Sequence, residues 1–297
     1  MIEILTLVLI VTMPLLLLGF INKTKAFMAG KQGSPILQFY YDFFKLIKKD
    51  QVISQTTSIV FKLAPTISLA CLLFGALLIP VIESTSLLSF QGNFIVFCYI
   101  LGLGRFFMIL GALDTGSGFE GMGANREISF SVVAEPALFM LLGSLAFLNK
   151  DVLNFSNLLI TINHSVVFTV PAIFIIFVIM LTETCRVPVD DPKTHLELTM
   201  IHEVMVLDYS GIDLAIIHFA SGLKLFIFNS LIISLLLNYL AVSSFYVFYF
   251  IIMQLVMAMI VGLLESCVSR FRMSHVPQFI FLSISIASIL CVLILIL

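Results

Sequence analysis

Apolar residues in this chain do not alternate with polar ones; they gather in long runs, separated by short polar stretches and by two longer patterned segments. A helix of about 20 apolar residues rises about 30 Å, the thickness of a bilayer's hydrocarbon core. Eight such runs occur, at about 3–22, 57–82, 92–113, 129–149, 164–184, 212–240, 245–265 and 275–297, and each predicts a membrane-spanning helix. The first opens on Glu3 rather than on basic residues, and no small-x-small cleavage signature precedes Lys23, so it is expected to stay as a helix. No internal repeat, low-complexity tract or soluble domain interrupts the series. The expected fold is all-α: one polytopic transmembrane domain over 1–297.

The first patterned segment, about 34–50, reads SPILQFYYDFFKLIKKD. Ile36, Leu37, Tyr40, Phe43, Phe44 and Ile47 recur at helical spacing, with Asp42, Lys45, Lys48 and Lys49 between them, which predicts an amphipathic helix lying on the membrane or bundle surface. Ser34 before Pro35 fits a cap and first turn. Phe43, Phe44 and Ile47 are the expected docking residues. A plain lipid-surface helix with no specific partner fits the same pattern.

The second, about 185–210, lies in the most charged part of the chain. Pro188 and Pro192 are expected to end the fifth span, with a short helix following over 194–206. On that helix His195, Thr199 and His202 share a face and Glu197 and Glu203 point elsewhere. Two histidines without further converging ligands do not make a metal site, and none is expected.

Composition fixes the environment. Of 297 residues 61% are hydrophobic and 11% charged, and the mean hydropathy is +1.17; a soluble domain carries about 25% charged residues. The net charge of −2 lacks the basic face that nucleic acid requires. The five cysteines, Cys71, Cys98, Cys185, Cys267 and Cys291, have no CxxC spacing, so a zinc or iron–sulfur centre would belong to a partner and no cofactor is expected here.

Basic residues then orient the spans. If both termini face outward, the inner segments hold Lys23, Lys25, Lys31, Lys45, Lys48, Lys49, Lys62, Arg126, Arg186, Lys193, Arg270 and Arg272, against Lys150 alone outside. Lys and Arg accumulate on the cytoplasmic side, so that sense is the expected one. The remaining two, Arg105 and Lys224, fall inside spans and need partners.

An ionisable group at the bilayer centre costs roughly 2.5–3.5 kcal/mol on insertion scales, so such groups face polar interiors and serve ion movement. Glu127, Glu135, Arg105 and Lys224 are the candidates. Glu127, Ser131 and Glu135 stand four apart and fall nearly on one line of a helix, a polar stripe able to relay a proton. The competing expectation is one structural ion pair between Arg105 and a glutamate. Asp114 and Glu120, in the glycine-rich GALDTGSGFEGMG, are expected in the loop that leads into that helix.

GSGFEGMGANREISFSVVAEP resembles the stretch after the third span in the complex I subunit 1 family. There a glycine-rich loop and an arginine lead into a glutamate-bearing helix. RVPVDDPKTHLELTMIHEVMVLDYSG is similar to that family's third cytoplasmic loop, and GSPILQFYYDFFKLIKKD to its amphipathic linker. Within the family, the wording DDPKTHLELTMIHE resembles the membrane subunit of group 4 [NiFe] hydrogenases of the hydrogenase-4 and formate hydrogenlyase type. Where the respiratory branch would carry further acids after the proline and a glutamate before Tyr-Ser-Gly, this chain has Lys193, His195 and Asp208.

The resemblance implies a non-catalytic subunit in a bacterial or archaeal plasma membrane. Such a subunit anchors a [NiFe] large subunit and an iron–sulfur small subunit beside antiporter-like membrane subunits. It further implies a proton or sodium pathway that begins at buried acids. Residue by residue, those acids fall on Glu127, Glu135, Glu183, Asp190, Asp191, Glu197, Glu203 and Asp208, and the basic docking positions on Arg126 and Arg186. Two other readings stay open. A quinone-binding subunit of respiratory complex I would show a cavity between the first span, the linker and the third loop. A standalone transporter would show inverted repeats, and none is visible.

Overall fold

The computed structural model describes residues 2–54, 56–82, 86–148, 154–155, 158, 166–190, 201–240 and 245–296. Among the described residues the regular elements are helices: α1 (Ile2–Met28), α2 (Gln38–Ile47), α3 (Ile59–Leu78), α4 (Asn93–Asp114), α5 (Gly118–Leu148), α6 (Val166–Glu183), α7 (His202–Met205), α8 (Gly211–Tyr239), α9 (Tyr246–Cys267) and α10 (Val276–Ile296). Eight of these, all but α2 and α7, are long and apolar enough to cross a membrane. They coincide with the eight runs of the sequence.

The spans form one bundle around α8, the most deeply buried of them, whose neighbours include α1, α2, α3, α6 and α9. α3 packs along α4, α5 along α10, and α1 along α9. Phe226, Phe228, Leu231 and Leu235 of α8 are fully enclosed in the main core. A second core near the long loops joins Phe61, Met108, Ala124, Met205 and Tyr209. Pro14, Pro65, Pro136 and Pro171 sit inside spans, a placement tolerated where neighbouring helices re-satisfy the freed backbone groups.

Three boundaries differ from expectation. The glycine-rich segment is not a loop: Asp114 closes α4 and α5 begins at Gly118, eleven residues before the expected start. Gly123 serves packing, since a Cβ there would stand 2.9 Å from the Ile201 carbonyl oxygen. The linker helix is capped at Leu37 rather than at Ser34, with no side-chain cap.

The third boundary is the end of the fifth span, which arrives before Pro188. Cys185 adopts a left-handed φ of 48°, Arg186 N–H donates to the Leu181 carbonyl at 2.9 Å, and Cys185 N–H donates to the Thr182 carbonyl at 3.2 Å. These two bonds are the Schellman pattern, which satisfies the last carbonyls of a helix. The expected helix over 194–206 lies largely outside the described residues; its last turn is α7.

α2 shows three faces. Phe39, Phe43 and Leu46 turn toward the bundle, and the Phe43 ring packs on Phe219 of α8 at 5.9 Å. Leu37, Tyr41 and Phe44 form an exposed apolar stripe, and Gln38, Asp42, Lys45 and Lys49 a polar one. Ile47 is also exposed, so of the three expected docking residues only Phe43 is seated on the bundle.

Candidate functional site

Arg105, two turns and more inside α4, is 7% exposed and carries its charge into the bundle. Nη1 donates to Glu135 Oε1 at 2.6 Å, Nη2 donates to Glu183 Oε1, and Nε faces Glu127 Oε1 at 3.6 Å. Lys224 of α8 completes the group. Its Nζ lies 3.2 Å from Glu183 Oε2 and donates to the Glu183 carbonyl at 3.1 Å. Four helices thus deliver five charges to one place: Arg105 from α4, Glu127 and Glu135 from α5, Glu183 from α6 and Lys224 from α8.

Burying such charges is tolerable only when they are paired and hydrogen-bonded. With every member ionised the group has three negative and two positive charges, so one proton brings it to neutrality. The guanidinium stands between the two acids of the polar stripe, joining what the sequence left as competing expectations. Ser131 does not bridge them; its hydroxyl donates to the Ile128 carbonyl at 3.0 Å. Glu135 is the outer member, its side chain 41% exposed against 5% for Arg105.

A cavity of about 50 Å³ opens on this group, walled by Arg105, Glu127, Glu183, His202, Ser221 and Lys224. Thr184, His202, Ile217 and Ser221 form its common wall with a second cavity of about 180 Å³. That cavity is lined by Leu18 and Asn22 of α1, Phe39 of α2, the loop residues Arg186 and Asp190, and Glu203 of α7. A third space, of about 10 Å³, lies between Arg105, Glu183 and Glu135.

The remaining predicted residues fall into three groups. Arg186 Nη1 donates to Glu265 Oε1 at 2.8 Å, and Lys25 pairs with the other oxygen of that fully enclosed carboxylate. Asp190 is 2% exposed; it faces Arg270 at 3.2 Å and accepts from Ile201 N–H at 2.8 Å. Glu203 and Asp208 are exposed, and Arg126 is half-buried. Asp191 and Glu197 lie outside the described residues.

The Asp-Tyr-Ser-Gly motif knots the loop to its surroundings. Asp208 N–H donates to Glu120 Oε1 at 3.1 Å, and the Tyr209 ring stacks on Phe61 at 4.0 Å. Tyr209 donates its hydroxyl to the Phe61 carbonyl at 3.1 Å, and Ser210 Oγ accepts from Val52 N–H at 2.8 Å. Burial pushes the Tyr209 phenol up from its ordinary value, with carboxylates nearby acting in the same direction.

Sequence reasoning missed Glu265, Lys25 and Glu120 as buried partners. A single acid near the end of the otherwise uncharged seventh run was a usable signal for Glu265, because an isolated charge there needs a cation. It also passed over His202 as a wall residue. Burial, helped by nearby Lys224 and His218, holds its imidazole down at about 4.

The pattern of the NADH dehydrogenase family matches residues 2–296. Hydrogenase-4 component C of Escherichia coli (strain K12) is 31% identical over 223 residues, 74% of this chain and 70% of that protein. Formate hydrogenlyase subunit 4 of the same organism is 26% identical over 274 residues, 89% of this chain and 88% of its own length. Among solved structures, a chain of the membrane-bound sulfane sulfur reductase, an archaeal respiratory membrane complex, superposes with a TM-score of 0.81. The match covers 98% of this chain and 97% of that one at 16% identity, a likeness of fold.

Proposed function

This chain belongs to the NADH dehydrogenase family, and from that membership we propose that it is the integral membrane subunit of an energy-converting group 4 [NiFe] hydrogenase complex of the hydrogenase-4 and formate hydrogenlyase type. It performs no redox chemistry itself. It anchors a peripheral module of [NiFe] large and iron–sulfur small subunits and passes the energy of their reaction to antiporter-like membrane neighbours as proton or sodium movement. Both termini face outward and the long loops face the cytoplasm.

The observation that carries this reading is the five-charge group at Arg105, with adjoining cavities between it and the loop end of the bundle. Coupling is electrostatic. A change of charge at the docked module, felt by the Arg186, Asp190 and Glu203 loop, alters how strongly Glu127, Glu135 and Glu183 hold their shared proton. These carboxylates share one guanidinium, so a proton gained by one is felt by the other two. Glu135, on the outer wall, hands the proton to a neighbouring subunit.

One observation favours a second reading. The cavity of about 180 Å³ lies between the first span, the linker and the third loop, the place where a quinone-binding subunit of respiratory complex I would hold its substrate. Purifying the tagged protein in mild detergent separates the readings. Co-purification of [NiFe] and iron–sulfur subunits is expected; an NADH-oxidising module would support the quinone reading, and a solitary chain would refute both.

A further inference from the structure

We propose that His218 and His202 form the proton entry to the buried charge group, with the groove between α2 and α8 as its mouth. The inference deepens the proposed function and rests on the Arg105 group being a proton conduit.

Four spaces follow one another through the bundle, and each adjoining pair has residues in common. The groove, of about 300 Å³, is rimmed by Asp42 and Lys45 of α2 and by Lys49 just beyond it, and backed by Leu214 and His218 of α8. Phe39 and His218 belong to its wall and to that of the cavity of about 180 Å³. His202, with Thr184, Ile217 and Ser221, stands between that cavity and the one holding Glu127, Glu183 and Lys224. Arg105 and Glu183 then adjoin the small space that ends on Glu135.

At the first wall Phe39 has no exchangeable proton, which leaves His218. At the second wall the hydroxyls are already committed: Ser221 donates to the His218 carbonyl at 2.9 Å and Thr184 to the Met180 carbonyl at 2.6 Å. His202 is the titratable group of that wall. Each of the first two crossings therefore has one imidazole, and the third has Arg105 and Glu183.

The chemistry suits the position. A neutral imidazole has a proton on one nitrogen and a lone pair on the other, so it takes a proton on one side while releasing one from the opposite side. Because His202 is held neutral down to about 4, it passes a proton without storing it. The proton leaves its second nitrogen for the Glu127 or Glu183 carboxylate, over one or more water molecules, and the ring resets its tautomer. No other bond changes. Asp42 stands at the groove beside the entry, with Lys45 and Lys49 on its rim.

The test uses vesicles containing the assembled complex, with hydrogen turnover driven by an artificial electron donor and a pH-sensitive dye inside. His202→Ala and His218→Ala are each expected to lower proton movement per hydrogen by about tenfold or more, within the range of a lost proton-transfer group. Added imidazole is expected to restore it. Where the alanine variant does not assemble, His202→Asn or His218→Asn is read in its place for the loss. Full proton movement in an assembled variant at either position overturns the entry, and so does a loss in an assembled alanine variant that imidazole leaves unchanged. Glu135→Gln in the same vesicles separates the two levels. If it abolishes proton movement while the histidine variants do not, the entry alone is wrong; if it too is harmless, the conduit reading fails and the entry falls with it.

Discussion

Arg105 and Glu135, thirty residues apart on neighbouring helices, meet at 2.6 Å with the guanidinium donating to the outermost carboxylate of the site. The same guanidinium holds Glu183 and faces Glu127, so Glu135 is one of three anions on one cation. This sharing sets different outcomes for removing the acid and removing the base.

Glu135→Gln leaves Arg105 compensated by two carboxylates, so the subunit should assemble normally while ion movement falls. Arg105→Gln leaves three acids with Lys224 alone; breaking a buried pair in this way costs about 3–5 kcal/mol, and the subunit should be lost from the membrane. Immunoblots of membranes, with gradient assays in vesicles, read both. Equal assembly of the two variants would refute the shared-cation account.

Topology is checked by reporter fusions. A reporter after Leu297 should read as periplasmic and one in the 185–210 loop as cytoplasmic, because the expected topology assigns twelve basic residues to the inner segments and one to the outer loops. The reverse pattern would overturn the orientation.

The linker separates packing from docking. Phe43→Ser strips a ring that rests on Phe219 and should lower the thermal stability of the purified protein, by up to about 1.5–3 kcal/mol for full burial. Phe44→Ser and Ile47→Ser remove exposed side chains and should leave stability unchanged. If these two serve docking, hydrogenase activity will shift from the membrane to the soluble fraction in the double variant alone.

Gly211 has a φ of +55°, and a Cβ there would stand 2.9 Å from the carbonyl oxygens of Lys49 and Asp50. Gly211→Ala should cost at least about 1–3 kcal/mol, the range for backbone strain at such positions. A lowered melting temperature checks it; Gly30→Ala, also at positive φ but with open space around it, should cost less.

His202 gives a pH dependence of definite sign. The folded chain keeps the imidazole neutral down to about 4, whereas the unfolded chain protonates it near its ordinary value of about 6.5. The unfolded state therefore binds more protons between these values, and stability falls as the pH drops through that window, by about 3 kcal/mol in total. Thermal unfolding at pH 7 and pH 5 should show a smaller acid loss in His202→Asn than in the parent.

The sequence by itself determined the eight spans, the amphipathic linker, the all-helical class and which charges were out of place, because burial in lipid and helical periodicity act on neighbouring residues and are written locally. It also marked Glu127, Glu135, Glu183, Arg105 and Lys224. Only the tertiary structure decided who pairs with whom. Arg105 meets partners thirty and seventy-eight residues away, and Glu265 of α9 meets Lys25 of the adjacent α1, 240 residues away, because such contacts depend on how each helix is rotated and which neighbours it packs against. The same holds for boundaries. Glycines at 118–123 carry loop propensity, yet close packing of Gly123 against Ile201 draws them into α5, and a left-handed Cys185 ends α6 before any proline acts. Local propensity proposes an element; contacts distant in sequence fix where it stops and what its charges touch.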